Sequence, residues 1–318
     1  MYHTAAPTAP AVRGPRGGAG YHEGMNTSTP SHHPARPRLL VLDVDGTVTN
    51  SSHEVTTATR RAVDRIRAAG IRVMLATGRR YRDTLPVAAM LGIEEPLVTA
   101  SGALVKEPSD HATLYRARFG PGVLPGVVAS IIAAGHEPVL YSDSYALGFD
   151  FHCRGLPTAG QGATGRGLDE YLDRNRTLAN VVPDLHAELP QGVFAGFAMG
   201  AHDSMLELES SLERTFPRHL TLHTIRSPRY RDWMCEIAPA GVTKWSGVLA
   251  IAETWGITSA EICAVGDDVN DLPMIRAAGR GIAMGNARPE VQAAADLVVS
   301  SHDENGLVDV ADLLVAGG

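Results

Sequence analysis

Short apolar runs alternate with segments of helical periodicity along much of the chain. Residues 39–42 are an uninterrupted apolar run, and residues 56–69 follow with apolar side chains on one side of a predicted helix. Such uninterrupted runs are typical of strands buried on both faces. The same alternation continues, with further strands predicted at 71–76, 97–100, 262–265, 282–284 and 297–299. We therefore predict an α/β fold, a Rossmann-like parallel sheet core with helices on both faces.

The middle of the chain breaks this rhythm. Helical patterns at 123–134 and 204–216 mix there with strand-like runs and a glycine-dense loop. This pattern indicates a second, α+β domain inserted into the first. We place the inserted cap domain at 118–227 and the core domain at 38–117 and 228–318. Residues 1–37, rich in Gly, Pro and Ala without apolar periodicity, are predicted to be a disordered tail, and Met25 is a second candidate start.

Polar side chains gather where the predicted strands end. In open parallel sheets, ligands bind beyond the carboxyl ends of the strands. Several carboxylates at one edge would repel each other by about 4 kcal/mol per pair at 4 Å and intermediate dielectric, so a cation is expected among them. Oxygen ligands favour a hard cation such as Mg²⁺. The residues at these ends are Asp43, Asp45, Thr77, Asp267, Asn270 and Asp271.

Composition removes several classes of function. A formal net charge of −7 without a basic stripe argues against nucleic-acid and anionic-membrane partners. The three cysteines are widely spaced, which argues against a disulfide framework or a zinc site and fits a cytoplasmic location. No apolar run has the length of a membrane span. Only Lys106 and Lys244 are lysines among 28 basic residues, so a specific role for one of them is worth considering.

Four short motifs, in order, resemble those of the haloacid dehalogenase-like hydrolase superfamily. They are Asp43-Val44-Asp45-Gly46-Thr47, Thr77-Gly78-Arg79, Lys244 and Gly266-Asp267-Asp268-Val269-Asn270-Asp271. The run 283–287 and the long insertion resemble the Cof-type subfamily of sugar-phosphate phosphatases. The resemblance covers residues 38–318.

The resemblance implies a Mg²⁺-dependent phosphatase that acts on small phosphate monoesters through an aspartyl phosphate. Asp43 is then the nucleophile, and Asp45 protonates the leaving alcohol and later deprotonates water. The implied metal ligands are Asp43, the carbonyl of Asp45 and Asp267, with Asp271 ordering the metal's water shell. The implied phosphate-binding residues are Val44, Thr77, Gly78, Lys244 and Asn270.

Other interpretations remain open at this point. Individually, these aspartates could form turns or helix caps, and Thr77 could be a helix N-cap. A sugar phosphomutase of the same superfamily, or a non-catalytic metabolite-binding protein on this fold, are the alternatives to a phosphatase. The sequence differs from the usual family pattern at two positions, Val48 and Ser101, and relatives often have Asn in place of Ser101. Polar cap residues that could contact substrate, or could be purely structural, are Tyr141, Asp143, His152, Arg154 and His202.

Overall fold

The computed structural model describes residues 37–158, 166–227 and 229–315, so nearly all of the predicted tail lies outside the described residues. The strands are β1 (Leu39–Leu42), β2 (Arg72–Leu75), β3 (Leu97–Thr99), β4 (Leu104–Lys106), β5 (Thr113–Arg116), β6 (Val139–Ser142), β7 (Phe151–Cys153), β8 (Ala179–Val181), β9 (Val193–Gly200), β10 (Leu220–Arg226), β11 (Trp233–Pro239), β12 (Ile262–Gly266), β13 (Arg280–Ala283) and β14 (Leu297–Val298). The α-helices are α1 (Thr57–Ala68), α2 (Tyr81–Leu91), α3 (Val123–Ala133), α4 (Gly167–Arg174), α5 (His202–Thr215), α6 (Lys244–Ala252), α7 (Leu272–Ala277), α8 (Pro289–Ala294) and α9 (Gly306–Val315).

A parallel sheet with the order β14-β13-β12-β1-β2 forms the centre of the core. Its middle strand, β1, is buried on both faces, as the uninterrupted apolar run predicts. Leu40 and Leu42 pack with α1 and α9 on one face, while Leu39 and Val41 pack with α6 and α7 on the other. The predicted α/β fold, with helices on both faces of a parallel sheet, is therefore confirmed.

The strand β3 departs from the prediction for the third apolar run. Its backbone pairing with the parallel sheet is an isolated bridge between Ala76 and Val98. Its main partner is the antiparallel β4, which in turn pairs with β5. The left-handed backbone of Ala100 and Ser101 turns the chain from β3 into β4. The third apolar run therefore begins a small separate sheet beside the core.

The middle of the chain builds a second sheet, with the order β10-β11-β9-β6-β7-β8. The helices α3 and α5 cover one face, and α4 packs on the other with Phe151 and Phe197. The strand β11 pairs with both β10 and β9, although it follows residue 227, where we predicted the cap to end. We therefore propose that the cap extends to Pro239, while the division into core and cap stays a prediction.

Among the described residues, no helix combines the length and the hydropathy needed to cross a bilayer.

Gly102 allows a close approach that places the start of α6. Its φ is +97°, and a Cβ there would lie 1.9 Å from the carbonyl oxygen of Thr243. Thr243 caps α6, and Lys244 is the first residue of that helix. The backbone of Gly102 thus sets how near the start of α6 lies to the end of β3.

We expect Gly102→Ala to lower the free energy of unfolding by about 2–4 kcal/mol, because it combines left-handed strain with a backbone clash. Gly70→Ala is the matched control, since Gly70 has φ +82° but open space around the new methyl group. That control should lose only about 1 kcal/mol. Urea unfolding followed by circular dichroism measures both, and equal losses would contradict the packing argument.

Candidate active site

Asp43 and Asp45 follow directly after β1, at the carboxyl end of the central strand. The backbone N–H of Asp43 still donates to the carbonyl of Val265 at 3.0 Å, so this residue is held in register with β12. Gly46 then turns with φ +81°, and a Cβ there would lie 2.2 Å from a carboxylate oxygen of Asp267. The turn can pass this close to Asp267 only because residue 46 has no side chain.

Lys244 lies fully buried between the acidic groups. Its Nζ donates to Asp43 Oδ1 at 2.6 Å, to Asp271 Oδ1 at 2.7 Å and to Asn270 Oδ1 at 3.1 Å. Burial opposes its charge, but the Asp271 and Asp43 carboxylates outweigh this and raise the pKa of Lys244. The ammonium is therefore held in its charged form beside the predicted nucleophile.

Asp43, Asp267 and Asp271 form a cluster of carboxylates. Each offers one oxygen, and these oxygens lie within 4.8 Å of one another. Burial raises the pKa of Asp43 to about 7, with further upward contributions from Asp271 and Asp45 and a downward one from Lys244. Burial, together with Asp43 and Asp271, raises the pKa of Asp267 to about 9. The single positive charge of Lys244 does not balance the negative charge of three carboxylates. Their oxygen atoms are the ligands that a hard cation prefers.

Asp271 is fixed by its other contacts. Its Oδ2 accepts hydrogen bonds from the backbone N–H groups of Asp267 at 2.9 Å and Asp268 at 3.1 Å. Gly266 leaves space for it, since a Cβ there would lie 2.4 Å from the Asp271 carboxyl carbon. The turn after β12 is thereby closed by the same side chain that holds Lys244.

Asp45 is paired with Arg79, a residue to which the sequence-based prediction assigned no role. The Arg79 Nε donates to Asp45 Oδ2 at 2.7 Å, and a terminal nitrogen donates to Oδ1 at 2.5 Å. Although burial alone would raise it, the hydrogen bonds and charge of Arg79 lower the pKa of Asp45. His53 Nδ1 lies 3.8 Å from the same carboxylate. The arginine in the Thr77-Gly78-Arg79 motif was the signal for this pair.

Thr77 lies buried beyond the end of β2 and is not the N-cap of α2. That helix begins at Tyr81, and its N-cap is Arg80, whose side chain makes no capping hydrogen bond. The Thr77 Oγ1 instead accepts a hydrogen bond from the backbone N–H of Arg79 at 3.1 Å. The helix-cap alternative for this residue is therefore wrong, because the helix starts one turn later.

Ser101, the departure from the usual Asn, contacts a residue that the sequence did not single out. Its Oγ donates to Glu236 Oε2 at 3.1 Å. Burial raises the pKa of Glu236, which lies on β11 and also lines the cavity. The two residues are far apart in sequence, so no local pattern indicated the contact.

A cavity of about 380 Å³ opens over this cluster. Seven of the nine predicted site residues line it, namely Asp43, Asp45, Thr77, Gly78, Lys244, Asp267 and Asn270. Asp271 is fully buried and makes its contact through Lys244, and the Val44 side chain is buried in the core. The structure thus brings the predicted residues to one place, while their roles remain predictions.

Of the five candidate cap residues, Tyr141 lines the cavity. Asp143 is paired with Lys106 at 2.8 Å, and His152 is hydrogen-bonded to Ser142 at 2.9 Å. Arg154 donates to Glu137 at 3.1 Å, and the ring of His202 packs on Trp233. These contacts give four of the five candidates structural roles.

A profile of the family described as haloacid dehalogenase-like hydrolase matches residues 40–310. "Stress response protein YhaX" of Bacillus subtilis is 28% identical, over 85% of this chain and 90% of its own length. "Phosphatase YwpJ" of Bacillus subtilis is also 28% identical, over 85% of this chain and 97% of its own. A crystal structure of a haloacid dehalogenase-like hydrolase from Bacteroides thetaiotaomicron has a TM-score of 0.71, with 24% identity, and covers 87% of this chain and 99% of that chain.

These matches agree with the motifs and with the geometry of the cavity. The family profile spans the core residues on both sides of the insertion and the insertion itself. The predicted enzyme class, a phosphatase of this hydrolase superfamily, is confirmed by the family and by the phosphatases among the relatives. The chain belongs to the haloacid dehalogenase-like hydrolase family, as a member of the Cof type.

Proposed function

We propose that the protein is a Mg²⁺-dependent phosphatase that hydrolyses phosphate monoesters of small metabolites through an aspartyl phosphate on Asp43. One observation carries the proposal. A buried carboxylate at the end of the central strand lies 2.6 Å from a buried ammonium and next to two further carboxylates, on the wall of a cavity. Phosphoryl transfer depends mainly on such positioning and charge stabilisation.

Asp43 is the nucleophile in this proposal. A carboxylate oxygen of Asp43 attacks phosphorus, and the bond between phosphorus and the leaving oxygen breaks. In the second half-reaction, water attacks phosphorus, and the bond to Asp43 breaks to release inorganic phosphate. Lys244, already in contact with Asp43, would stabilise the negative charge of the transferring phosphoryl group.

Asp45 performs the proton transfers. It gives a proton to the leaving alcohol in the first half-reaction and takes one from the attacking water in the second. Asp43 and Asp45 both line the cavity, so their carboxyl groups can serve one site. The two hydrogen bonds from Arg79 hold the Asp45 carboxyl at the cavity. Arg79 therefore acts as a positioning residue for the acid and base.

The cation would be held by Asp43, Asp267 and the backbone carbonyl of Asp45, and Asp271 would order its water shell. When bound, Mg²⁺ supplies positive charge that offsets the carboxylates and the dianionic phosphoryl group. Hydrogen bonds to Asp267 from Thr47 Oγ1 at 3.2 Å and from the Asn286 amide at 3.4 Å would orient that ligand.

The phosphoryl oxygens would be held by groups around Asp43. Thr77, Gly78 and Asn270 line the cavity together with Lys244, and the backbone of Val44 directly follows the nucleophile. A cavity of about 380 Å³ has room for a small metabolite. Its walls include cap residues, so the cap would contact the leaving group.

Asp43→Asn should lower the rate of phosphate release from para-nitrophenyl phosphate by at least about 1,000-fold, since an amide cannot act as the nucleophile. Asp203→Asn is the matched control, because that side chain is 96% exposed on the cap and should keep full activity. Circular dichroism should show both variants folded. Substantial turnover by folded Asp43→Asn would overturn the nucleophile assignment.

Chelation by EDTA should abolish activity, and Mg²⁺ should restore it. Ca²⁺ should restore little, because it is larger and prefers more ligands at longer distances. Mg²⁺ should also raise the thermal midpoint of the chelated wild-type protein but not of Asp267→Asn, which lacks one of the proposed ligands. Unchanged activity in EDTA, or equal stabilisation of both proteins, would refute the metal site.

A further inference from the structure

Lys106, one of the two lysines of the chain, is buried between the core and the cap, and the proposed mechanism does not use it. It lies on β4, with 5% of its surface exposed. Its Nζ donates to Asp143 Oδ1 at 2.8 Å and to Thr113 Oγ1 at 2.6 Å. The strands β4 and β5 belong to the small sheet beside the core, while Asp143 directly follows β6 of the cap sheet. Lys106 therefore ties the cap to the core.

Asp143 is held by the core on both of its carboxylate oxygens. Thr113 Oγ1 donates to its Oδ2 at 2.6 Å, and a terminal nitrogen of Arg116 lies 3.8 Å from the same oxygen. Although burial opposes the charged form, the hydrogen bonds from Lys106 and Thr113 lower the pKa of Asp143. The carboxylate is thus ionised at neutral pH and paired with groups of the core.

A second contact crosses the same boundary at Asp150, directly before β7. Arg82 on α2 donates from Nε to both carboxylate oxygens of Asp150, at 3.0 and 3.2 Å. A terminal nitrogen of Arg82 donates to the carbonyl of Tyr145 at 3.2 Å. The ring of Tyr145 also meets that of Tyr81 edge to face, with centroids 5.1 Å apart. These contacts attach the connection between β6 and β7 to α2.

The two ion pairs Lys106–Asp143 and Arg82–Asp150 together form a clasp. In each pair the cation belongs to the core and the carboxylate to the cap. Two separate contacts fix the orientation of one body on another, whereas one contact leaves it free to rotate. A buried ion pair also favours the one geometry that keeps both charges paired, because a buried charge without a partner is costly. The clasp therefore sets the angle between the cap sheet and the core.

The clasp acts on the catalytic cavity through β6. Tyr141 lines the cavity and lies on that strand, two residues before Asp143. The chain enters the cap directly after β5, and Arg116 at the end of β5 lies beside Asp143. The clasp is thus next to a covalent crossing between core and cap. A rotation of the cap about this point would move Tyr141 relative to Asp43.

We propose that Lys106 is a positioning residue, which fixes the angle of the cap through the clasp and so keeps Tyr141 at the wall of the cavity that holds Asp43. The kinetic consequence of this inference rests on the proposed phosphatase function. The fixed angle does not, since it follows from contacts away from the catalytic residues.

The angle of the cap is measured as a distance between two spin labels. Arg61→Cys on α1 and Asp203→Cys on α5 give exposed attachment points in the core and the cap, and the three native cysteines are buried. Double electron–electron resonance should show one narrow distance distribution when Lys106 is present. Lys106→Gln should widen that distribution at least about twofold, because the cap can then rotate about the remaining contact. An unchanged distribution in folded Lys106→Gln would overturn the inference.

Arg154→Gln is the matched control, because it breaks an ion pair with Glu137 that lies within the cap. Its distance distribution should equal that of the wild-type protein, and an equal widening in both variants would refute a specific role for the clasp. If Lys106→Gln does not fold, Thr113→Val replaces it. That change removes the hydroxyl between Lys106 and Asp143 without leaving a charge unpaired. It should also widen the distribution, and no widening would contradict the inference.

Steady-state kinetics separate positioning from stability. Lys106→Gln should raise KM for para-nitrophenyl phosphate at least about threefold and keep kcat within about twofold, since Asp43 and Lys244 are unchanged while the wall beside the leaving group moves. An unchanged KM, with or without a lower thermal midpoint, would leave Lys106 a structural role only and would overturn the inference.

Failure of the proposed function gives a different result. If the wild-type protein does not hydrolyse para-nitrophenyl phosphate, the phosphatase proposal is wrong, and the distance distributions alone decide the role of Lys106. A wider distribution in Lys106→Gln than in Arg154→Gln then supports the fixed angle, and equal distributions refute it.

Discussion

The site depends on one buried ammonium among carboxylates. Lys244 touches Asp43 and Asp271, so it joins the end of β1, the start of α6 and the turn after β12. Removing one partner of a buried ion pair typically costs about 3–5 kcal/mol, because the remaining charge is left uncompensated. The same interaction that supports the nucleophile therefore also holds three distant segments of the core together.

The positive charge of one ammonium is too small to balance the carboxylates around it. Asp43 and Asp267 both have pKa values raised by burial, so their ionised forms are disfavoured until more positive charge is present. Nearby glycines nevertheless allow the carboxylates to lie close together. A side chain at Gly46 or Gly266 would collide with Asp267 or Asp271, so these turns are shaped to bring the carboxylates close. This close approach of carboxylates is the physical basis for proposing a cation.

The sequence predicted the parts of the fold whose signal is local. Uninterrupted apolar runs located β1, β2 and β12, and the convergence of strand ends in a parallel sheet brought Asp43 and Asp267 together. Contacts between distant segments were not predictable in this way. The Arg79–Asp45 pair joins residues 34 positions apart, and the motif contained the arginine without indicating its partner. The Ser101–Glu236 contact joins residues 135 positions apart, and nothing in the local pattern encodes it.

The strand β11 lies beyond residue 227, where the sequence pattern placed the end of the cap. Its residues, Trp233–Pro239, were therefore assigned to the core. Its burial alternates along Cys235, Ile237 and Pro239, which is the pattern of a strand with one face on the α3 and α5 layer. Lys244 contacts Asp43 in the core, while the strand before it belongs to the other sheet.

One short stretch of chain contributes to both halves of the cavity. Met234 and Glu236 lie on β11 and line the cavity, and the chain reaches Lys244 only a few residues after that strand ends. No other α-helix or β-strand intervenes between the cap wall and the lysine that contacts the nucleophile. The cap wall and the lysine beside Asp43 are thus carried by one short stretch of chain, so the position of β11 constrains where α6 can begin.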